Sequence, residues 1–65
     1  MIQIQLNGQE YEVQGETLTD LVKQLGLGGR YAIEVNREIV PKGLHAEHRL
    51  NPGDEVEVIH AVGGG

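Results

Sequence analysis

One short amphipathic helix is the feature that most limits what this chain can fold into. Apolar residues recur from Leu18 to Leu25 at the i, i+3, i+4, i+7 spacing of a single helical stripe. Thr17 is a suitable N-cap, Asp20 can close a capping box with it, and Gly26 can end the helix. A helix of two to three turns cannot bury its stripe alone, so the rest of the chain must supply a covering surface.

Strands on both sides of the helix are predicted to supply that surface. Apolar and polar residues alternate over residues 2–6 and 11–13, and Asn7-Gly8 between them is a strong signal for a tight hairpin. The same alternation returns over residues 31–35 and 56–62. The sequence therefore predicts a hairpin, one helix and at least two further strands.

The segment between the last two strands is less regular. Ile39-Val40 is a short apolar pair that Pro41 ends, and residues 42–50 are predicted to be irregular with at most one helical turn. Leu44 and Leu50 are expected to anchor this segment in the core. The Asn-Pro-Gly-Asp run at positions 51–54 is then typical of a turn before the final strand.

These elements predict one α+β domain that spans residues 1–65. A single helix packed across a mixed sheet of four to five strands buries one helical stripe and one sheet face. This is the β-grasp, or ubiquitin-like, arrangement, in which the first and last strands lie side by side and parallel at the centre. Residues 62–65 are expected to form a flexible tail beyond it.

Composition excludes several kinds of function. Ten acidic residues against five basic ones give a net charge of −5, which disfavours nucleic acid and anionic membranes and favours partners with basic surfaces. The chain has no Cys, so a disulfide, a thiolate zinc site and a cysteine nucleophile are all excluded. No apolar stretch is long enough to span a bilayer and no signal-peptide pattern is present, so a cytoplasmic protein is expected.

The sequence ends on three glycines directly after a strand-like run. Gly63, Gly64 and Gly65 add almost no side-chain bulk, so this tail could thread a narrow channel and present the Gly65 carboxylate to another protein's active site. Glycine is costly to order and packs nothing, so a purely structural end gains little from it. The alternative is a frayed end without a role.

Two polar clusters are further candidate sites. His45 and His48 are spaced to share one side of a helical turn, but a zinc site needs further ligands and only Glu47 and His60 offer them, so solvated surface histidines are expected. Asp54, Glu55 and Glu57 could steer a basic partner, or they could simply be a solvated strand face.

Four motifs in a fixed order carry a family resemblance. They are Val35-Asn36, Ile39-Val40-Pro41-Lys42, Gly53-Asp54-Glu55-Val56 and the end at Ala61-Val62-Gly63-Gly64-Gly65. The chain resembles the ThiS family of sulfur carriers in thiamine thiazole biosynthesis over its whole length. The small subunit of molybdopterin synthase is the nearest alternative, but that family tends to be longer and to approach its glycines through a proline.

The resemblance implies a carrier that has no catalytic residue, bound cofactor or metal of its own. An E1-like, ThiF-like adenylating enzyme would join the Gly65 carboxylate to AMP from ATP. A sulfur donor, such as a cysteine desulfurase persulfide, would then displace AMP and leave a thiocarboxylate. A ThiG-like thiazole synthase would receive that sulfur. Gly63 and Gly64 would thread the tail through the partner.

Strand alternation suggests where such partners dock. Val56 and Val58 are predicted to face the core, so Ile59 and Ala61 point to the other face, where a one-helix fold has no covering layer. Ile59, Ala61 and Val62 are therefore candidate partner-binding residues, although a single exposed Ile is also ordinary. A ubiquitin-like modifier joined to target lysines through Gly65, and an interaction module with an inert tail, are the remaining alternatives.

Overall fold

Five strands, one helix and one short 3₁₀ turn make up the part of the chain that the computed structural model describes, residues 1–60. In chain order they are β1 (Ile2–Leu6), β2 (Gln9–Val13), α1 (Leu18–Leu25), β3 (Tyr31–Val35), β4 (Glu38–Ile39), the 3₁₀ turn Lys42–Leu44 and β5 (Glu55–His60). The predicted tail, residues 62–65, and Ala61 lie outside the described residues.

The strands form one mixed sheet in the order β2-β1-β5-β3-β4. β1 and β5 are parallel neighbours, and every other pairing is antiparallel. This confirms the predicted β-grasp arrangement with its first and last strands adjacent. The first hairpin turns through Asn7 and Gly8 at φ of 48° and 83°, as a tight two-residue turn requires.

A second hairpin was not predicted. β4 pairs with β3 through a two-residue turn at Asn36 and Arg37, whose φ values are 51° and 73°. Arginine is uncommon at positive φ, so this turn lacks the glycine that marks most hairpins of this kind. Asn36, which tolerates that conformation, was the signal available in the sequence.

One face of the sheet packs against α1 and forms the core. The buried apolar residues are Ile4, Val13, Leu18, Leu21, Ile33, Val35, Leu50 and Val56. Val58 shares the core-facing parity of Val56 but is only partly buried. Of the two leucines predicted to anchor the irregular segment, Leu50 is buried as expected. Leu44 is 50% exposed, so the prediction for it was wrong. The Leu50 amide donates to the Glu16 carbonyl at 2.8 Å, which fixes Leu50 beside the start of the helix.

The helix begins at the predicted capping box. Thr17 Oγ1 accepts from the Asp20 amide at 3.2 Å, and Asp20 Oδ2 accepts from the amides of Thr17 at 3.1 Å and Glu16 at 2.8 Å. The Glu16 and Thr17 N–H groups favour the charged carboxylate and lower the pKa of Asp20. Gly15 packs so closely here that any Cβ would overlap the Asp20 side chain. Gly26 ends the helix in the left-handed conformation, as predicted.

The lowered pKa of Asp20 predicts how the contribution of the helix cap to folding stability changes with pH. A carboxylate with a depressed pKa in the folded state stabilises that state above the unfolded pKa, about 3.9 for Asp, and loses this contribution as the pH falls through the folded value. Asp20→Asn should therefore lower the melting temperature most at neutral pH. The difference in melting temperature between variant and parent should become smaller as the pH is lowered below about 4.

Thermal melts followed by circular dichroism from pH 7 to pH 3 measure this gap. Glu10→Gln is the control, because it removes one carboxylate charge from an exposed position of β2. A gap for Asp20→Asn that stays constant across the whole pH range would contradict the proposed role of the ionised carboxylate.

Candidate functional site

The centre of the sheet carries the chain toward its C-terminal residues. β5 lies between β1 and β3, and its last described residue, His60, is paired with Tyr31 at the start of β3. β1 pairs with β5 only as far as Leu6 and Val56. Beyond that point the Asn7 side chain replaces the strand pairing: its Oδ1 accepts a hydrogen bond from the Val58 amide at 2.9 Å. A hairpin-turn residue thus extends the support of the final strand.

The helix-free face of the sheet lies beside the end of β5. On this outer face Ile59 is opposite Ala32, and Glu57 is opposite Glu34. No helix or strand within residues 1–60 covers it, and Ile59 is 45% exposed. The structure therefore places Ile59 where the alternation predicted. Its role in binding stays a prediction, and the two other candidate partner-binding residues, Ala61 and Val62, lie outside the described residues.

The outer face is acidic, with one arginine, Arg37, beside Glu34, Glu55 and Glu57. The glutamates that the strand alternation directs to it are Glu10, Glu12, Glu34, Glu55 and Glu57. Like charges directly opposite each other, as at Glu34 and Glu57, are unfavourable in an isolated sheet. Within residues 1–60 the single ion pair joins Arg49 and Glu16 instead, at 2.6 Å. This face consequently suits a partner with a basic surface.

Asp54 does not belong to that acidic face. Its carboxylate is nearly buried and accepts from the Asn51 amide at 2.9 Å and from Asn36 Nδ2 at 3.1 Å. Asn36 Oδ1 in turn accepts from the Glu55 amide at 3.0 Å. Asp54 and Asn36, which belong to two of the motifs behind the family resemblance, therefore form a hydrogen-bonded lock between the β3–β4 turn and the start of β5.

The three histidines differ in burial and in contacts. His45 is 5% exposed, and its Nε2 is 2.9 Å from the Val40 carbonyl oxygen, so the expectation of a solvated surface histidine was wrong there. The backbone at His45 is held against the start of the helix, where the Thr19 amide donates to the His45 carbonyl at 3.3 Å. His48 is half-buried and His60 is exposed. Across residues 1–60 no three potential ligand side chains are grouped to hold a metal ion.

No helix among the described residues has the length and apolar character needed to cross a membrane. The residues predicted to carry the chemistry, Gly63, Gly64 and Gly65, lie outside the described part of the chain. The described residues form the sheet that precedes these glycines in the chain. Its central strand, β5, lies beside an acidic, partly apolar face.

Comparison with known proteins identifies the family. Residues 4–65 match the family model described as the ThiS family. The sulfur carrier protein ThiS of Bacillus subtilis is 37% identical over 65 residues, which cover 95% of this chain and 98% of that protein. The thiazole synthase of Paramagnetospirillum magneticum is 39% identical over 62 residues, which cover 92% of this chain. The chain spans only about a fifth of the length of that synthase, 19%.

A solved structure agrees with these matches. The crystal structure of the thiamine biosynthesis protein ThiS from Geobacter metallireducens superposes with a TM-score of 0.82 at 25% identity, covering 98% of this chain and all of that one. Fold and sequence therefore agree. The chain belongs to the ThiS family.

Proposed function

We propose that this protein carries sulfur as a thiocarboxylate on Gly65. In the first step an oxygen of the Gly65 carboxylate attacks the α-phosphorus of ATP on an adenylating partner, and pyrophosphate leaves. The terminal sulfur of a persulfide then attacks the acyl carbon, and AMP leaves. A thiol cleaves the resulting acyl disulfide, which releases the thiocarboxylate and leaves a disulfide on the donor side.

The observation that carries this proposal is the match to the ThiS family through the last glycine. The family match runs from residue 4 to residue 65 and so includes Gly63, Gly64 and Gly65. A carboxylate is a poor electrophile until its oxygen becomes part of a good leaving group, so a carrier needs an activating enzyme. Glycine suits the tail because any Cβ would widen it and restrict its backbone angles.

The comparison also supports thiazole synthase as the enzyme that receives the sulfur. In the synthase of Paramagnetospirillum magneticum a segment similar to this chain makes up 19% of the polypeptide. A carrier joined to its acceptor in one chain meets it at a high effective concentration. We infer that the present carrier delivers its sulfur to the same class of enzyme.

The outer face is the proposed docking surface for the adenylating enzyme. Ile59 supplies an exposed apolar contact near the end of β5, and Ala61 and Val62 are the other proposed contact residues. Glu34 and Glu57 would raise the rate of encounter with a basic enzyme surface, in a salt-dependent way. An exposed apolar spot with charges around it is typical of a protein interaction site.

The receiving enzyme separates this function from its nearest alternative. The thiocarboxylated protein should support formation of thiazole phosphate when it is mixed with thiazole synthase and its small-molecule substrates. It should give little molybdopterin with the large subunit of molybdopterin synthase. Mass spectrometry of the carrier before and after the reaction follows the loss of sulfur from Gly65.

Unmodified carrier is the control in both reactions, since it has no sulfur to give. Molybdopterin formation without thiazole formation would overturn the assignment of the acceptor. Recovery of isopeptide conjugates with target lysines, without any free thiocarboxylate, would instead indicate a ubiquitin-like modifier.

A further inference from the structure

A second apolar surface lies at the far edge of the sheet. The β4 groove, about 350 Å³ in volume, is lined by Val35, Ile39, Val40, Pro41 and Leu44, with the exposed Glu38 and Glu47 and the half-buried His48 beside them. Ile39 is 57% exposed and Leu44 is 50% exposed. Single exposed apolar residues are normal on a small domain, but these two line one concave surface together.

The fold leaves this groove open for a structural reason. β4 has two residues and is the last strand in the sheet order, so no strand among the described residues lies beyond it. In the segment that follows β4, Leu50 is the leucine that packs in the core. Leu44 is half-exposed and lines the groove. Within residues 1–60 no element lies beyond β4 to bury Ile39 or Leu44, so both side chains are open to another molecule.

The rim of the groove indicates what that molecule carries. Glu38 and Glu47 stand at its edge, and within residues 1–60 neither of them forms an ion pair. A second copy of this chain would bring a net charge of −5 and a similar acidic rim, which disfavours self-association through this surface. An apolar side chain flanked by Lys or Arg fits both the groove and its rim.

The groove is separated from the reactive end of the chain. Its floor residue Val35 is paired with Val56, whereas the last described residue of β5, His60, is paired with Tyr31. Four residues of strand separate these positions, which corresponds to about 13 Å at roughly 3.3 Å per residue. A partner held in the groove can thus bind the domain without covering the end from which the tail extends.

We propose that thiazole synthase holds the carrier by inserting an apolar side chain, flanked by basic residues, into the β4 groove. This inference rests on the proposed function. The synthase must hold the carrier while the tail reaches its active site, and a contact remote from the tail meets that need. The likeness to a segment of the Paramagnetospirillum magneticum synthase supports such proximity of a carrier domain and a synthase.

Two groove variants test the proposal in full-length carrier. Leu44→Ser removes the apolar contact and Glu47→Lys reverses the rim charge, and both positions are exposed enough for the fold to persist. Calorimetry with purified thiazole synthase should show at least tenfold weaker binding for each variant. The effect of Glu47→Lys should shrink at high salt, because screening removes the repulsion. The KM for the carrier in adenylation should change less than twofold.

Glu16→Lys is the matched control, because it makes the same charge change at an exposed position outside both the groove and the outer face. It should leave synthase binding within twofold of the parent. Unchanged synthase affinity for Leu44→Ser and Glu47→Lys, in variants that melt like the parent, would overturn the proposal. An equal loss in adenylation would also overturn it, because the groove would then not be specific to the synthase. Failure of parent thiocarboxylate to yield any thiazole would refute the proposed function separately, since binding is measured independently of turnover.

Discussion

A carrier extended by one alanine after Gly65 is expected to lose adenylation completely. The proposed reaction occurs on the carboxylate of Gly65, and the extension converts that carboxylate into a neutral peptide carbonyl. The new terminal carboxylate is displaced by about 3.5 Å, the reach of one residue, and carries a methyl group into a channel suited to glycine. Misplacement of about 1 Å can already cost roughly 10²-fold in rate.

ATP–pyrophosphate exchange catalysed by the cognate adenylating enzyme measures this loss. Addition of one alanine before Met1 is the control, because it lengthens the chain equally at an end with no proposed role. Circular dichroism should show that both extended proteins melt like the parent. Exchange at the parent rate in the protein extended after Gly65 would refute the proposal that this carboxylate is activated.

A charge placed on the core side of β5 is expected to unfold the domain. Val56 is 1% exposed and lies in the core between β1 and β3. Domains of this size are stable by only about 3–10 kcal/mol, from roughly 0.05–0.15 kcal/mol per residue. Burying a carboxyl group without a partner costs on the order of several kcal/mol, so Val56→Asp removes most or all of that stability.

Ile59→Asp is the matched variant, since it places the same side chain on the same strand but on the outer face. It should retain the parent's circular dichroism spectrum and melt within a few degrees, because Ile59 is half-exposed. Its affinity for the adenylating enzyme should fall at least tenfold by calorimetry, since the added charge disrupts an apolar contact. Unchanged affinity would leave Ile59 as an ordinary exposed side chain. A folded Val56→Asp protein would contradict the described core.

Local sequence predicted the elements whose causes are local. The capping box at Thr17 and Asp20, the stop at Gly26 and the turn at Asn7-Gly8 all occur as expected. Each depends on side chains or backbone freedom within a few residues, so no distant contact is needed to specify it. Period-2 alternation likewise assigned Ile59 to the outer face, because one buried face determines the parity of a whole strand.

Contacts between residues that are distant in sequence determine the burial of side chains that local patterns did not predict. Leu44 and Leu50 are both leucines in one irregular segment, yet only Leu50 packs in the core, and its amide donates to the distant Glu16 carbonyl. His45 is also buried, and its ring meets the Val40 carbonyl. The sequence pattern predicted Asp54 as a surface charge, but its carboxylate is nearly buried and accepts a hydrogen bond from Asn36 Nδ2.

The sequence alone determined the helix, its caps, the first hairpin, the parity of the strands and the family to which the glycine-ended chain belongs. Tertiary structure decided which side chains of the irregular segment fill the core, that the short β4 joins the sheet as its edge strand, and that the β4 groove stays open. The reason is that burial depends on which segments meet in space. Residues such as Asn36 and Asp54 are far apart in sequence, so no local pattern records their contact.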